Sequence, residues 1–100
     1  NKFLITCLNS TREVEGDIVG HFGIHRNPVM LLTGWRITHL PTGLRVSDFL
    51  KLRTARAAAA ALSLLPGLDW SQSEKKYWEG QREHGEKAKA VCMKFREGEE

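Results

Sequence analysis

One hundred residues with 41% apolar content set the scale of a single domain, 1–100, whose modest core needs no disulfide scaffold. The longest apolar run, Ala57 to Leu62, is too short to cross a membrane and nothing reads as a secretory signal, so the expectation is a soluble protein of the cytoplasm. The net charge of +3 is uneven: residues 72–100 carry seven basic against seven acidic side chains, and residues 1–71 carry eight against five.

Residues 1–48 read as the sheet-forming part. KFLITCL, residues 2–8, is an apolar, β-favouring run, and NSTREVEGD after it supplies turn formers and charge. Ile18, Phe22 and Ile24 alternate with Val19, His21 and His25 in a second strand that Gly20 and Gly23 weaken or bulge. Arg26-Asn27-Pro28 closes it. VMLLTGWRITHL, residues 29–40, then reads as one strand bent at Gly34, or as an apolar segment leading into a strand from Trp35; the bend is the preferred reading. Pro41 and Gly43 in LPTG make a turn and so a hairpin.

Turn chemistry leaves two registers open for that hairpin. Pairing His39 with Leu44 gathers Trp35, Ile37, Leu44 and Val46 on one face and sends Arg36, Thr38, Arg45 and Ser47 to the other. Pairing Leu40 with Leu44 around a glycine bulge separates the apolar sets and places Arg36 opposite Asp48. Burial favours the first.

Residues 49–66 predict a helix. LKLRTARAAAAALSLL is rich in helix formers, and Leu52, Ala55, Ala59 and Leu62 share one face, with Asp48 or Thr54 as the cap and Pro66-Gly67 as the stop. Ser71-Gln72-Ser73-Glu74 fits a capping box opening a second helical segment, 71–97. Gly80 and Gly85 interrupt its stripe of Tyr77, Trp78, Ala88, Val91, Cys92 and Phe95, and the final EGEE reads as frayed. The fold class expected is α+β: a three- or four-stranded, mainly antiparallel sheet packed on the alanine-rich helix, followed by the second helical segment.

No side-chain set announces a reaction. A nucleophile beside a base, paired carboxylates or a phosphate-cradling loop would be needed, and none has recognisable spacing, so the expectation is a protein that is not an enzyme and takes no cofactor. Cys7 and Cys92 lack a CxxC partner and read as reduced thiols. His21, His25 and His39 match no metal motif, and His21 and His25 would lie about 13 Å apart in an extended strand at roughly 3.3 Å per residue. His39 is better placed to fix the turn by hydrogen bonds. Trp35, Trp70 and Trp78 read as core.

The binding candidates are basic. Residues 36–56 hold five cations and one anion, and Arg36, Arg45, Lys51, Arg53 and Arg56, with Thr38 and Ser47 on the same outward face, form the expected partner-binding set. The last helix, charge-balanced, reads as a solvated face.

GWRITHLPTGLRV, the alanine-rich helix and GLDWS resemble a pattern seen among small proteins of phages and other mobile elements, over residues 34–71. Trp35, Thr38-His39, Pro41-Thr42-Gly43 and Asp69-Trp70 carry the resemblance. It implies an anti-CRISPR-like accessory protein acting in a bacterial host cell, which binds and inhibits a nucleic-acid-processing or defence complex by occupying a surface. The partner would be a host protein or nucleoprotein complex, with no membrane involved. The strand-turn-strand-helix order also resembles the amino-terminal DNA-binding domain of some phage-type integrases, which implies the alternative: nucleic acid bound by a basic sheet face.

Overall fold

The computed structural model describes residues 1–7, 10–26 and 34–99. Five strands precede three helices among them: β1 (Lys2–Cys7), β2 (Ser10–Val19), β3 (Phe22–Arg26), β4 (Trp35–His39), β5 (Leu44–Phe49), α1 (Leu52–Ser63), α2 (Lys75–Glu79) and α3 (Arg82–Glu97). The sheet is antiparallel throughout, in the order β1-β2-β3-β4-β5, and the α+β class follows.

The sheet has one more strand than the upper expectation, for two local reasons. The residues read as one strand around Gly20 form a hairpin instead: Val19 pairs with Phe22 across the two-residue turn Gly20-His21. Gly20 has φ of 59°, the positive value that a tight hairpin turn requires at this position. The segment read as turn formers is the first half of β2. Its side chains from Ser10 to Glu13 are exposed, so no apolar alternation marks it; pairing with β1 holds it, Lys2 lying opposite Glu15 and Thr6 opposite Thr11. Of the expected bent strand, residues 29–33 lie outside the described residues, as does Pro28.

β2 changes partners at Gly16. Residues before it pair with β1 and those from it onward with β3. A side chain there would land on the Ile24 carbonyl, so the bend needs glycine. The bend lets β1 curl back over the sheet until the Thr6 amide donates to the Gly43 carbonyl at 2.7 Å. Beneath β1, Ile5 is buried and Phe3 meets the His25 ring edge-on at 5.7 Å.

The other sheet face carries the main core. Phe22, Ile24, Ile37 and Phe49 pack against Ala55, Ala58, Ala59 and Leu62 of α1. This is the expected stripe with Ala58 added, and alanine lets the helix axis lie close to the strands. Ala88 and Cys92 of α3 complete the cluster.

The helix ends differ from expectation. Lys51 is the N-cap of α1 and its side chain makes no capping bond; neither Asp48 nor Thr54 holds that position. The Glu99 carboxylate comes from the far end of the chain to accept the amides of Leu50 and Lys51 at 2.9 and 2.8 Å, so this part of the expected frayed tail is docked. The proposed capping box does not form: α2 starts at Lys75, and Ser71 turns back to bond the Asp69 carboxylate through its amide at 3.1 Å. The segment breaks at Gly80 alone, while α3 runs through Gly85.

Candidate functional site: the hairpin and the groove beside it

The hairpin takes neither expected register along its whole length. Next to the turn His39 pairs with Leu44 and Thr38 with Arg45; beyond it Ile37 faces Ser47 and Arg36 faces Asp48, so Val46 is an inserted bulge residue. Gly43 has φ of 73°, and its amide donates to the His39 carbonyl at 2.7 Å, closing the turn.

The bulge dismantles the expected outward row. Thr38 and Ser47 are buried, at 1% and 6% exposure, whereas Leu44, expected in the core, is 54% exposed. Trp35, Ile37 and Val46 do pack on the core. Thr38 is buried because its hydroxyl donates to His25 Nε2 at 2.7 Å under β1. Ser47 is buried because the bulge turns it toward α3, on the side of Cys92.

The arginines of the row are spoken for. Arg36 makes a forked pair with Asp48, Nε to Oδ1 at 2.7 Å and Nη2 to Oδ2 at 3.2 Å, and Arg45 approaches Oδ2 at 3.5 Å. Arg56 pairs with Asp17 at 3.3 Å. Lys51 and Arg53 are exposed and make no ion pair among the described residues.

His39 fixes the turn, as its position suggested. Its Nε2–H donates to the Trp70 carbonyl at 2.6 Å, which leaves Nδ1 to accept from the Thr42 hydroxyl at 2.8 Å. Trp70 in turn donates its indole N–H to the Leu62 carbonyl at the end of α1, at 2.8 Å. Trp78 donates to the Gln72 carbonyl at 2.8 Å, meets His39 edge-on and packs at a tilt against Trp70, so both indoles are partly buried structural groups. Trp35 packs on the core with the Arg26 guanidinium 4.5 Å above its ring.

His25 and His39 lie on opposite faces of the sheet, and no group of three or more His, Cys, Asp or Glu that could hold a metal ion occurs among the described residues. Burial pushes both histidines below their ordinary value, against the carbonyls of Arg26 and Trp70. Burial pushes the Cys92 thiol up, against the opposing pulls of Ser47 and Arg96, which suits an inert core group.

Unpaired cations gather instead on α3. A groove of about 670 Å³ separates the bulged part of β5 from α2 and α3. Val46, Trp78 and Met93 contribute to its apolar lining, and Met93 is 55% exposed. Arg45, Arg82, Lys89 and Arg96 line it against Glu79 and Glu86; with Arg45 already paired to Asp48, the remaining excess is one positive charge, three less two. Arg82, Lys89 and Arg96 make no ion pair among the described residues. Their spacing, with Glu86 and Met93 between them, is that of one helix face, so sequence could have shown the stripe. The equal totals of charge over 72–100 concealed it. A shallower cleft of about 360 Å³ joins the start of α1 to the end of α3, with Lys51, Arg53 and Lys94 around it. No described helix is long and apolar enough to cross a membrane. Set against protein-family models, curated proteins and solved structures, the chain matches none.

Proposed function

We propose that the chain is a non-enzymatic binding protein that inhibits a bacterial nucleic-acid-processing or defence complex by occupying one of its surfaces, in the manner of anti-CRISPR-like phage proteins. One observation carries the reading: a partly apolar groove lined by Arg82, Lys89 and Arg96, cations that make no ion pair among the described residues. Basic rims around apolar centres are the anatomy of a surface awaiting a partner. The likeness over residues 34–71 supplies the class of target. Arg36, Thr38 and Ser47 leave the proposed contact set, and Arg45 joins the groove.

Affinity capture from a bacterial lysate tests it. The expected result is stoichiometric recovery of a nucleic-acid-processing protein whose activity falls when the purified chain is added. Recovery of no such protein, or full activity in its presence, counts against the reading.

Direct nucleic-acid binding is the second reading, favoured by Lys51, Arg53 and Lys94 around the shallow cleft rather than by the sheet face. Three phosphate contacts would give a log–log salt slope of about −2.7 on duplex DNA. Absence of DNA binding at low salt removes this reading.

A further inference from the structure

We infer that the β5–α3 groove recognises an acidic peptide segment built around one apolar side chain, a proposal that rests on the binding-protein reading and names its ligand. The apolar side chain would seat against Met93, and carboxylates on either side of it would meet Lys89 and Arg96, which stand one turn before and one turn after Met93 on α3, with Arg82 and Arg45 further along the same lining.

Three features select this occupant. The excess of positive charge calls for an acidic one. Glu79 and Glu86 share the same lining, and a continuous phosphate backbone would run into both carboxylates, whereas a peptide can place charge only where a cation stands. The lining offers aliphatic and thioether surface from Val46 and Met93 instead of a free stacking platform, because the Trp78 ring is already engaged by His39, Trp70 and Tyr77. Met93, with a flexible and polarisable side chain, suits contact with an apolar group of loosely defined shape. The Val46 bulge also breaks the regularity of β5, so recognition would run through side chains rather than by addition of a strand.

The experiment uses fluorescence anisotropy with a labelled short peptide of Glu and Asp flanking a central Leu. Its comparison ligands are the same peptide with Ser for Leu, its Lys counterpart and a short oligothymidylate. The Leu peptide should bind, the Ser peptide several-fold more weakly and the Lys peptide not at all. Lys89→Glu with Arg96→Glu should weaken binding by about tenfold or more, and Met93→Ser severalfold, while Lys51→Glu with Arg53→Glu leaves it unchanged. All of these positions are exposed, so far-ultraviolet circular dichroism should be unaltered.

No binding below about 1 mM, equal binding of the Ser peptide, indifference to the groove reversal, or tighter binding of the oligonucleotide would each overturn the assignment. The two proposals fail separately. A captured inhibition target that ignores the Lys89 and Arg96 reversals keeps the function and removes the groove; peptide binding without any such target does the opposite.

Discussion

His25 and His39 are buried, one on either side of the sheet, and each makes two hydrogen bonds. Burial dominates and lowers both from an ordinary value of 6.5. The unfolded chain therefore takes up protons that the folded chain refuses, and stability falls as pH drops through about 6.5 toward the folded-state values. The urea midpoint should decline between about pH 7.5 and 5, and replacing both histidines by Gln should flatten that decline. A flat wild-type profile would contradict the assignment.

Glu99 adds to the same acid sensitivity, but through a charged form that the fold favours. Desolvation pushes its carboxyl up, but the Leu50 and Lys51 amides, the Thr54 side chain and the Lys51 charge outweigh it and hold the group below the usual carboxylate range. Its contribution is present above the unfolded-chain value and disappears as pH falls through the folded one. Glu99→Gln should cost about 1 kcal/mol at neutral pH, the scale of a lost helix cap, and lower the melting temperature by roughly 4–8 °C. In acid the difference between the two proteins should vanish.

At the scale of elements, α1 was the most legible part of the chain, because an alanine-rich apolar stripe has one good solution against a sheet. Gly80 as a break was legible too. Gly85 was over-read: its position in α3 has open space where a side chain would stand, and it interrupts nothing. Gly85→Ala should stabilise the protein by about 1 kcal/mol, visible as a rise of several degrees in thermal unfolding. The hairpin at Gly20-His21 was written in the sequence, in a glycine at the first turn position, but the flanking apolar residues continue an alternation that hides the reversal. The Val46 bulge was not legible. Both registers bury some apolar residues, and the choice depends on Arg36 reaching Asp48 and on Ser47 reaching Cys92, partners that only the assembled fold brings near.

On the scale of the whole molecule, charge that is near balance in sum is sorted by place. Asp48 absorbs Arg36 and Arg45 and Asp17 absorbs Arg56, and the segment with no net charge supplies the unpaired cations of the groove. Basic residues over 36–56 were legible in the sequence, whereas the row of unpaired cations on α3 was not, since counting charges along a chain says nothing of which helix face presents them.

The Thr6–Gly43 closure has a kinetic corollary. Each strand pair joins neighbours in the chain and can zip locally, whereas this bond joins the first strand to the fourth turn and must wait for the hairpins between them. Native-state hydrogen exchange should find the Thr6 amide released well before those of Ile24 and Ile37, which lie in the α1-covered core. Unfolding would then begin as an uncurling, in which β1 swings away from His25 and Thr38 while the groove and the helices that frame it stay closed.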